Sequence, residues 1–229
     1  MQNLLLAALP PEDMGLLAPH LAQVELDRGR LLYDPGDRLE TVFFPHDGVI
    51  SLMTLMDSGA AIESATIGRE GALGLAAAVS PRASLVRAIV QTPTRASRIS
   101  AERLHEAWEK SPKIRELVDR HGEALFGHAI QSVACNALHS VEARFCRWLL
   151  TCHDRISTDT IALTQEFLAD MLGVQRTTVT AVARALQEKG AIRYRRGVVD
   201  IMDRGVLEQL ACECYSVIRR TYERLLPEG

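Results

Sequence analysis

The chain has 229 residues, 47% of them hydrophobic and 24% charged, which is the composition of an ordinary globular protein able to bury a core. Its net charge is −3, so the molecule is not a polycation, and any nucleic-acid binding must come from a local basic surface. No apolar stretch reaches the roughly 18 residues of a membrane-spanning helix. Segment 1–11 is apolar but lacks a basic start, so we predict no signal peptide and a cytoplasmic location.

Glycine and proline divide the segment from Val24 to about Ser100 into short apolar runs. Turn signals such as Asp34-Pro35-Gly36-Asp37 alternate with runs such as Val49 to Met53. Short runs with a turn every 8–12 residues or so are typical of an antiparallel roll or barrel. We therefore predict an N-terminal β domain within residues 1–111.

A long helix is predicted after this domain, within residues 112–140. Ser100 is a candidate N-cap for a preceding helix, and Pro112 suits the first turn of the long one. Its apolar residues form two stripes, and a helix with two apolar sides needs two partners. We expect the roll to cover one stripe and a second copy of this helix to cover the other, which predicts a homodimer. The first stripe holds Ile114, Leu117, Val118, Leu125, Ser132 and Cys135, and the second holds Phe126, Ile130, Val133, Ala137 and Val141.

Residues 141–229 are predicted to form a separate, mainly helical domain. Its elements are a helix from Val141 to Cys152, two helices joined by a tight turn, a short hairpin, and a last helix from Asp203 to about Leu226. Thr164 can cap the first helix of the central pair, and Gly173 can follow its last turn in a left-handed conformation. The apolar spacing across the pair is that of a helix-turn-helix.

The second helix of the pair, starting near Gln175, exposes side chains that suit DNA. The N-terminal residues of such a helix meet base edges in the major groove, where arginine can pair with guanine and glutamine with adenine. Threonine hydroxyls and the helix start suit phosphates. The candidate DNA-binding residues are Thr164, Gln165, Gln175, Arg176, Thr177, Thr178, Thr180 and Arg184.

A basic hairpin, or wing, follows the second helix. Arg193, Arg195 and Arg196 surround Gly197 and are predicted to meet mostly phosphate. Between Gly173 and Val199 there are six positive residues and one negative residue, so this stretch is +5 in a chain of −3. Phosphate contacts supply most non-specific DNA affinity. The alternative is a small helical domain with a solvated basic face.

The chain from about Leu5 to Ile201 resembles the Crp–Fnr family of bacterial transcription regulators, most specifically from Thr164 to Ile192. The resemblance implies an α+β fold with a cyclic-nucleotide-binding-type antiparallel β-roll, a long dimerisation helix and a C-terminal winged helix-turn-helix. It also implies a homodimer on palindromic double-stranded DNA, an effector sensed by the roll, and RNA polymerase as a candidate partner. Thr177 and Ala181 stand where the family often has Glu and a second Arg, so we expect a different base preference.

The resemblance is weaker in the effector pocket. Arg82 matches the family's phosphate-binding arginine, with the following hydroxyl displaced to Ser84, whereas Gly74-Leu75 stands where the ribose-binding Gly-Glu is expected. A register that places Gly68-Arg69-Glu70 there spoils the following turn. We therefore expect no conventionally bound cyclic nucleotide and no assigned cofactor, and the effector stays open.

Histidine and cysteine residues leave further hypotheses open. The five cysteines all lie at or beyond Cys135, which disfavours a disulfide framework and the family's N-terminal iron–sulfur cluster but leaves haem open. His121, His128 and Cys135 share one face of the long helix, which is a candidate dimer seam, although a plain packed face is favoured. Cys212 and Cys214 in the last helix should diverge, so no metal ligand is assigned.

Enzymatic motifs are missing from the sequence. It has no P-loop, no dinucleotide-binding glycine motif and no nucleophile elbow, so we predict that the protein is not an enzyme. Two alternatives to a DNA-binding regulator stay open, namely a cyclic-nucleotide-binding signalling module and a haem or metal redox sensor.

Overall fold

The N-terminal half of the protein is an antiparallel β-roll. The computed structural model describes residues 2–225. Seven strands form one sheet in the order β1-β7-β3 and another in the order β2-β6-β4-β5. Buried side chains from all seven strands form one core, so the two sheets enclose the interior of the roll. The strands are β1 (Ala22–Leu26), β2 (Leu31–Tyr33), β3 (Thr41–Pro45), β4 (Ile50–Leu55), β5 (Ala61–Ile67), β6 (Arg87–Val90) and β7 (Thr94–Ser100).

Tight backbone contacts fix the turns of the roll. Gly48, which precedes β4, has φ +77°, and a Cβ there would lie 2.8 Å from the carbonyl oxygen of Pro93. Only glycine fits such a close approach without strain. Tyr33 Oη accepts a hydrogen bond from Thr41 N at 2.9 Å, which ties the end of β2 to the start of β3.

Short helices flank the roll and lead into the long helix α4 (Pro112–Leu138). Ser100 caps the helix before it, and Ser111 Oγ accepts a hydrogen bond from Ile114 N at 3.0 Å at the start of α4. Pro112 occupies the first turn, as predicted. These helices are α1 (Leu4–Ala7), α2 (Pro11–Leu17) and α3 (Ala101–Lys110), with 3₁₀ turns at Ala18–His20 and Leu75–Ala78.

The two predicted apolar stripes of α4 differ in burial. The first is buried against the roll and its helices, apart from a half-buried Leu125, while Phe126, Ile130 and Val133 of the second are 68%, 54% and 72% exposed in the chain. His121 and His128 are buried on the inner face, which confirms the favoured interpretation of a packed face and places them away from the suggested dimer seam. His121 Nε2 accepts a hydrogen bond from Ala72 N at 3.1 Å, which is a structural role inside the chain.

The C-terminal part has a core of its own, built around Trp148, Phe145 and Leu186. A third antiparallel sheet, in the order β8-β10-β9, lies beside its helices. Among residues 2–225, no helix is long and apolar enough to cross a membrane. The elements are α5 (Val141–His153), β8 (Thr160–Ala162), α6 (Gln165–Leu172), α7 (Arg176–Glu188), β9 (Ile192–Arg195), β10 (Val198–Ile201), α8 (Arg204–Leu210) and α9 (Cys214–Leu225).

The predicted single last helix is wrong, because two helices occupy that segment; its predicted end near Leu226 lies outside the described residues. The backbone becomes extended at Ala211, with φ −70° and ψ 148°, and α9 begins three residues later. The break turns α9 back along α4, where Ile218 and Tyr222 join the core shared by α4 and the roll. No glycine or proline marks the break in the sequence, so tertiary packing overrides a continuous helical pattern.

Candidate nucleic-acid interface

The pair α6 and α7 forms the predicted helix-turn-helix. Thr164 Oγ1 accepts a hydrogen bond from Phe167 N at 3.2 Å and so caps α6. Gly173 ends this helix in the left-handed conformation, with φ +63°. Leu168, Val179 and Leu186 are fully buried between the helices, which fixes the orientation of α7.

The outer face of α7 carries the side chains proposed to meet DNA. Gln175, Arg176 and Thr177 are exposed at its start, whereas Thr178 is half-buried. Arg176 Nε lies 3.4 Å from Gln165 Oε1, so these two predicted residues are neighbours across the turn. Further along the helix, Thr180 Oγ1 donates to the Arg176 carbonyl at 3.0 Å, and its lone pairs stay available to donors from outside.

The wing is a two-residue hairpin between β9 and β10. Arg196 and Gly197 both have positive φ, 50° and 74°, and Arg195 pairs with Val198 on either side of them. Two positive φ angles are typical of a type I′ turn, which suits the twist of paired strands. Tyr194 Oη donates to the Leu163 carbonyl at 3.1 Å and anchors the hairpin beside α6.

Carboxylates neutralise part of the basic surface, which the sequence did not reveal. Arg184 pairs with Glu188 at 2.9 Å, and Lys189 pairs with Glu142 at 2.7 Å. A third carboxylate, Asp200, lies 3.1 Å from Arg193 and 4.0 Å from Arg195. Within residues 2–225, Arg176 and Arg196 have no such partner. These two cations at the start of α7 and the tip of the wing are therefore the most available to phosphate or base edges.

Comparisons with known proteins agree with this geometry. A family model described as a Crp-like helix-turn-helix domain matches residues 143–210, and a cyclic nucleotide-binding domain model matches residues 23–111. The global nitrogen regulator of Nostoc sp. strain PCC 7120 is 22% identical over 185 residues, which cover 76% of this chain and 82% of that protein.

Solved structures share the fold. FixK2 from Bradyrhizobium japonicum is 16% identical, covers 84% of this chain and 98% of its own, and has a TM-score of 0.70. A Crp/Fnr-family transcriptional regulator from Thermus thermophilus is 20% identical, with 83% and 98% covered and a TM-score of 0.66.

The two matched segments contain the β-roll and the winged helix-turn-helix in the order that the fold shows. The class of protein is therefore a DNA-binding transcription regulator with a cyclic nucleotide-binding domain, and it is not an enzyme. The chain belongs to the Crp–Fnr family. The predicted α+β fold, with an N-terminal roll, a long helix and a C-terminal winged helix-turn-helix, is confirmed.

The structure separates the three candidate effector residues. A cavity of about 600 Å³ lies between the roll and α3, and Arg82 lines it together with Arg38, Glu40, Glu102 and His105.

The other two candidates serve the backbone of the roll and do not line this cavity. Ser84 Oγ is buried and donates to the Val86 carbonyl at 2.7 Å. Gly74 has φ +83°, and a Cβ there would lie 3.0 Å from the Thr41 carbonyl oxygen.

The roll contacts the DNA-binding domain through two carboxylates, the buried Glu63 and the half-buried Glu70. Glu63 of β5 accepts a hydrogen bond from Trp148 Nε1 at 3.0 Å and one from Ser51 Oγ at 2.5 Å. Glu70 forms a buried ion pair with Arg155, which follows α5. Glu70, which the alternative register would place in the ribose-binding pair, thus serves a contact between domains, and no sequence motif marks Glu63.

Replacing Glu63 with glutamine is expected to change how stability depends on pH. Burial raises the pKa of the Glu63 carboxyl from 4.5 to about 7, so its contribution is complete below pH 4.5 and is lost as pH rises through 7. Glutamine keeps both hydrogen bonds without a charge. We expect Glu63→Gln to exceed the wild type by up to about 3 kcal/mol near pH 8 and to equal it near pH 4, measured by urea unfolding. A difference that does not vary with pH would contradict this assignment.

Four potential metal ligands meet where α4 ends. The ligand atoms of Cys135, His139, Cys212 and Cys214 all lie within 4.8 Å of one another. The expectation that Cys212 and Cys214 diverge on one helix is wrong, because Cys212 lies in the break before α9 and Cys214 begins that helix.

Proposed function

We propose that the protein is a sequence-specific regulator that acts as a homodimer on a palindromic operator. The observation that carries this proposal is the exposed start of α7, where Arg176 has no carboxylate partner within residues 2–225 and lies beside Gln165. In this assignment Gln175, Arg176 and Thr177 meet base edges, and Arg193, Arg195 and Arg196 meet phosphates. Thr164, Thr178, Thr180 and Arg184 support the same groove contact.

The outer stripe of α4 supports the homodimer. Phe126, Ile130, Val133 and Ala137 are separated by four, three and four residues, and all are exposed in the chain. That is the spacing of a coiled-coil seam, which a second copy of the same helix can cover. A two-fold axis along α4 would give the two recognition helices the symmetry of a palindrome.

The effector is proposed to be something other than a conventionally bound cyclic nucleotide. Leu75 offers no carboxylate to a ribose, Glu70 is held by Arg155, and the Ser84 hydroxyl is used by Val86. Of the expected set, Arg82 lines the cavity between the roll and α3, and Glu40 and Glu102 share that cavity. We further propose that the regulator works in the cytoplasm beside the chromosome and contacts RNA polymerase there.

Replacing Arg176 with alanine is expected to weaken binding to the preferred operator by roughly 1–3 kcal/mol and to relax specificity at one base pair. Binding to random duplex DNA should change little, because the lost contact is with a base. Binding is measured by fluorescence anisotropy on both duplexes over a series of salt concentrations.

Arg195→Ala is the matched control, because it removes the same charge from the wing. It should weaken binding to both duplexes equally and reduce the salt slope by about 1. Equal losses on operator and random DNA for Arg176→Ala would remove that residue from base recognition.

A further inference from the structure

Four soft donors converge between the long helix and the connection from α8 to α9. Cys135 lies in the last turn of α4 and His139 follows its end, so the two share one side of the helix. The Cys135 and Cys212 sulfurs are 3.5 Å apart, and Cys214 Sγ lies 3.5 Å from His139 Nδ1. All three cysteines are buried, and the His139 side chain is 22% exposed. Two segments 70 or more residues apart therefore direct their donors to one point.

Two of the separations, Cys135 Sγ to Cys212 Sγ and Cys214 Sγ to His139 Nδ1, match a tetrahedral zinc site, and all four ligand atoms lie within 4.8 Å of one another. Zinc binds thiolate at about 2.3 Å and imidazole at about 2.0–2.1 Å, which places tetrahedral ligands about 3.5–3.8 Å apart. Three sulfurs and one imidazole nitrogen select zinc or a similar thiophilic ion over magnesium or calcium, which prefer oxygen ligands. The break at Ala211 makes this geometry available, since it frees Cys212 and Cys214 from the opposite directions of a continuous helix.

The surroundings of the cluster suit a bound cation as well. His139 Nε2 bonds Glu213 Oε1 at 3.2 Å, which leaves Nδ1 facing the sulfurs. A carboxylate behind the ligating histidine is the usual arrangement at protein zinc sites. Gln131 Nε2 donates to Cys214 Sγ at 3.0 Å, as an outer group does to a thiolate ligand.

Two buried arginines of α5 balance the charge that such a site would carry. Three thiolates and one divalent ion give a net charge of −1. Arg144 and Arg147 are each only 7% exposed, and Arg144 Nη1 donates to Asn136 Oδ1 in the last turn of α4 at 3.0 Å. Within residues 2–225, the Nε atom of each has no hydrogen-bond partner.

We propose that Cys135, His139, Cys212 and Cys214 bind one divalent metal ion of the zinc class. The ion fastens the end of α4 to the connection between α8 and α9. It therefore spans the bend at His139 and Ser140, where the long helix passes into the DNA-binding domain. Metal binding does not depend on the proposed DNA-binding mode. An experiment can therefore contradict the metal site without contradicting the proposed function, and the reverse also holds.

The test is a metal titration of the full-length reduced protein. Chelator-treated protein is titrated with Co²⁺, and the visible absorption of tetrahedral cobalt thiolate is followed before zinc is added. We expect one ion per chain, displacement of cobalt by an equivalent of zinc, and a higher melting temperature with metal than without it. DNA binding is measured in parallel by fluorescence anisotropy. A loss of DNA binding can then be distinguished from a loss of the metal site.

Substitutions assign the ligands. Cys135→Ser and His139→Ala should abolish the cobalt spectrum. Circular dichroism checks that both variants are folded, and His139, which follows the end of α4 with a side chain 22% exposed, is the less buried of the two positions. Glu213→Gln should lower affinity roughly 10-fold or more. Cys146→Ser is the matched control, since Cys146 is buried in α5 away from the cluster, and should keep the full signal.

Two results would overturn the site. The first is folded protein, with its thiols kept reduced, that shows no saturable cobalt binding. The second is cobalt binding that His139→Ala and Cys135→Ser leave unchanged.

Discussion

Replacing Trp148 with alanine is expected to lower the free energy of unfolding by about 3–5 kcal/mol. Trp148 is 1% exposed and packs against Phe167 of the helix-turn-helix, with ring centroids 6.1 Å apart. Its indole also donates to Glu63 of the roll, so the substitution opens a cavity and removes a hydrogen bond from a buried carboxyl. Urea unfolding at pH 7 measures the loss.

Trp148→Phe separates the two contributions. Phenylalanine keeps most of the ring volume but cannot donate to Glu63, so we expect a loss of about 1–2 kcal/mol. Combining Trp148→Phe with Glu63→Gln should show coupling between the two positions, since they share one contact. A loss below about 1 kcal/mol for Trp148→Ala would mean that this side chain does not join the two domains.

Replacing Ile130 with aspartate is expected to convert the proposed homodimer into a folded monomer. The substitution places two charges against each other across the proposed seam, while Ile130 is already 54% exposed in the single chain, so the fold should survive. A monomer binds a single half-site. In a dimer, the first bound domain holds the second one at a high effective concentration near the other half-site, and a monomer lacks this advantage. We therefore expect a loss of about 10²–10⁴-fold in affinity for a full operator. Light scattering measures the molar mass and so distinguishes a monomer from a dimer.

Met56→Asp is the matched control for this substitution. Met56 is 58% exposed in the turn between β4 and β5, so the same charge is added at equal exposure but away from α4. It should leave both mass and DNA affinity unchanged. A dimeric Ile130→Asp protein, or a monomeric wild type with full operator affinity, would exclude the seam on α4.

Local patterns in the sequence account for most of the architecture. The caps at Ser100 and Thr164, the left-handed Gly173 and the Arg196-Gly197 turn are determined by neighbouring residues, so short-range reasoning finds them. The two stripes of α4 were predictable for the same reason, because helical periodicity alone separates an inner face from an outer one.

Contacts between distant segments were not predictable from such patterns. Glu63 with Trp148 and Glu70 with Arg155 join residues 85 apart in the chain, and nothing local marks these carboxylates as buried. The break at Ala211 lacks glycine and proline, so the convergence of Cys212 and Cys214 on α4 appears only once the chain is folded. Ion pairs such as Arg193 with Asp200 also reduce the basic surface below what the sequence charge suggests.

Selection of preferred sequences from random duplex DNA by the purified protein is the most direct test of sequence-specific recognition by α7. The affinity for the selected DNA is then measured as a function of salt concentration for the wild type and for Arg176→Ala. We expect enrichment of a two-fold palindrome with half-sites about one helical turn apart, roughly 10 base pairs, and altered preference at one position per half-site in the variant. Binding that stays equal for all duplexes and depends only on salt, both with and without added zinc and cAMP, would contradict sequence-specific recognition by α7.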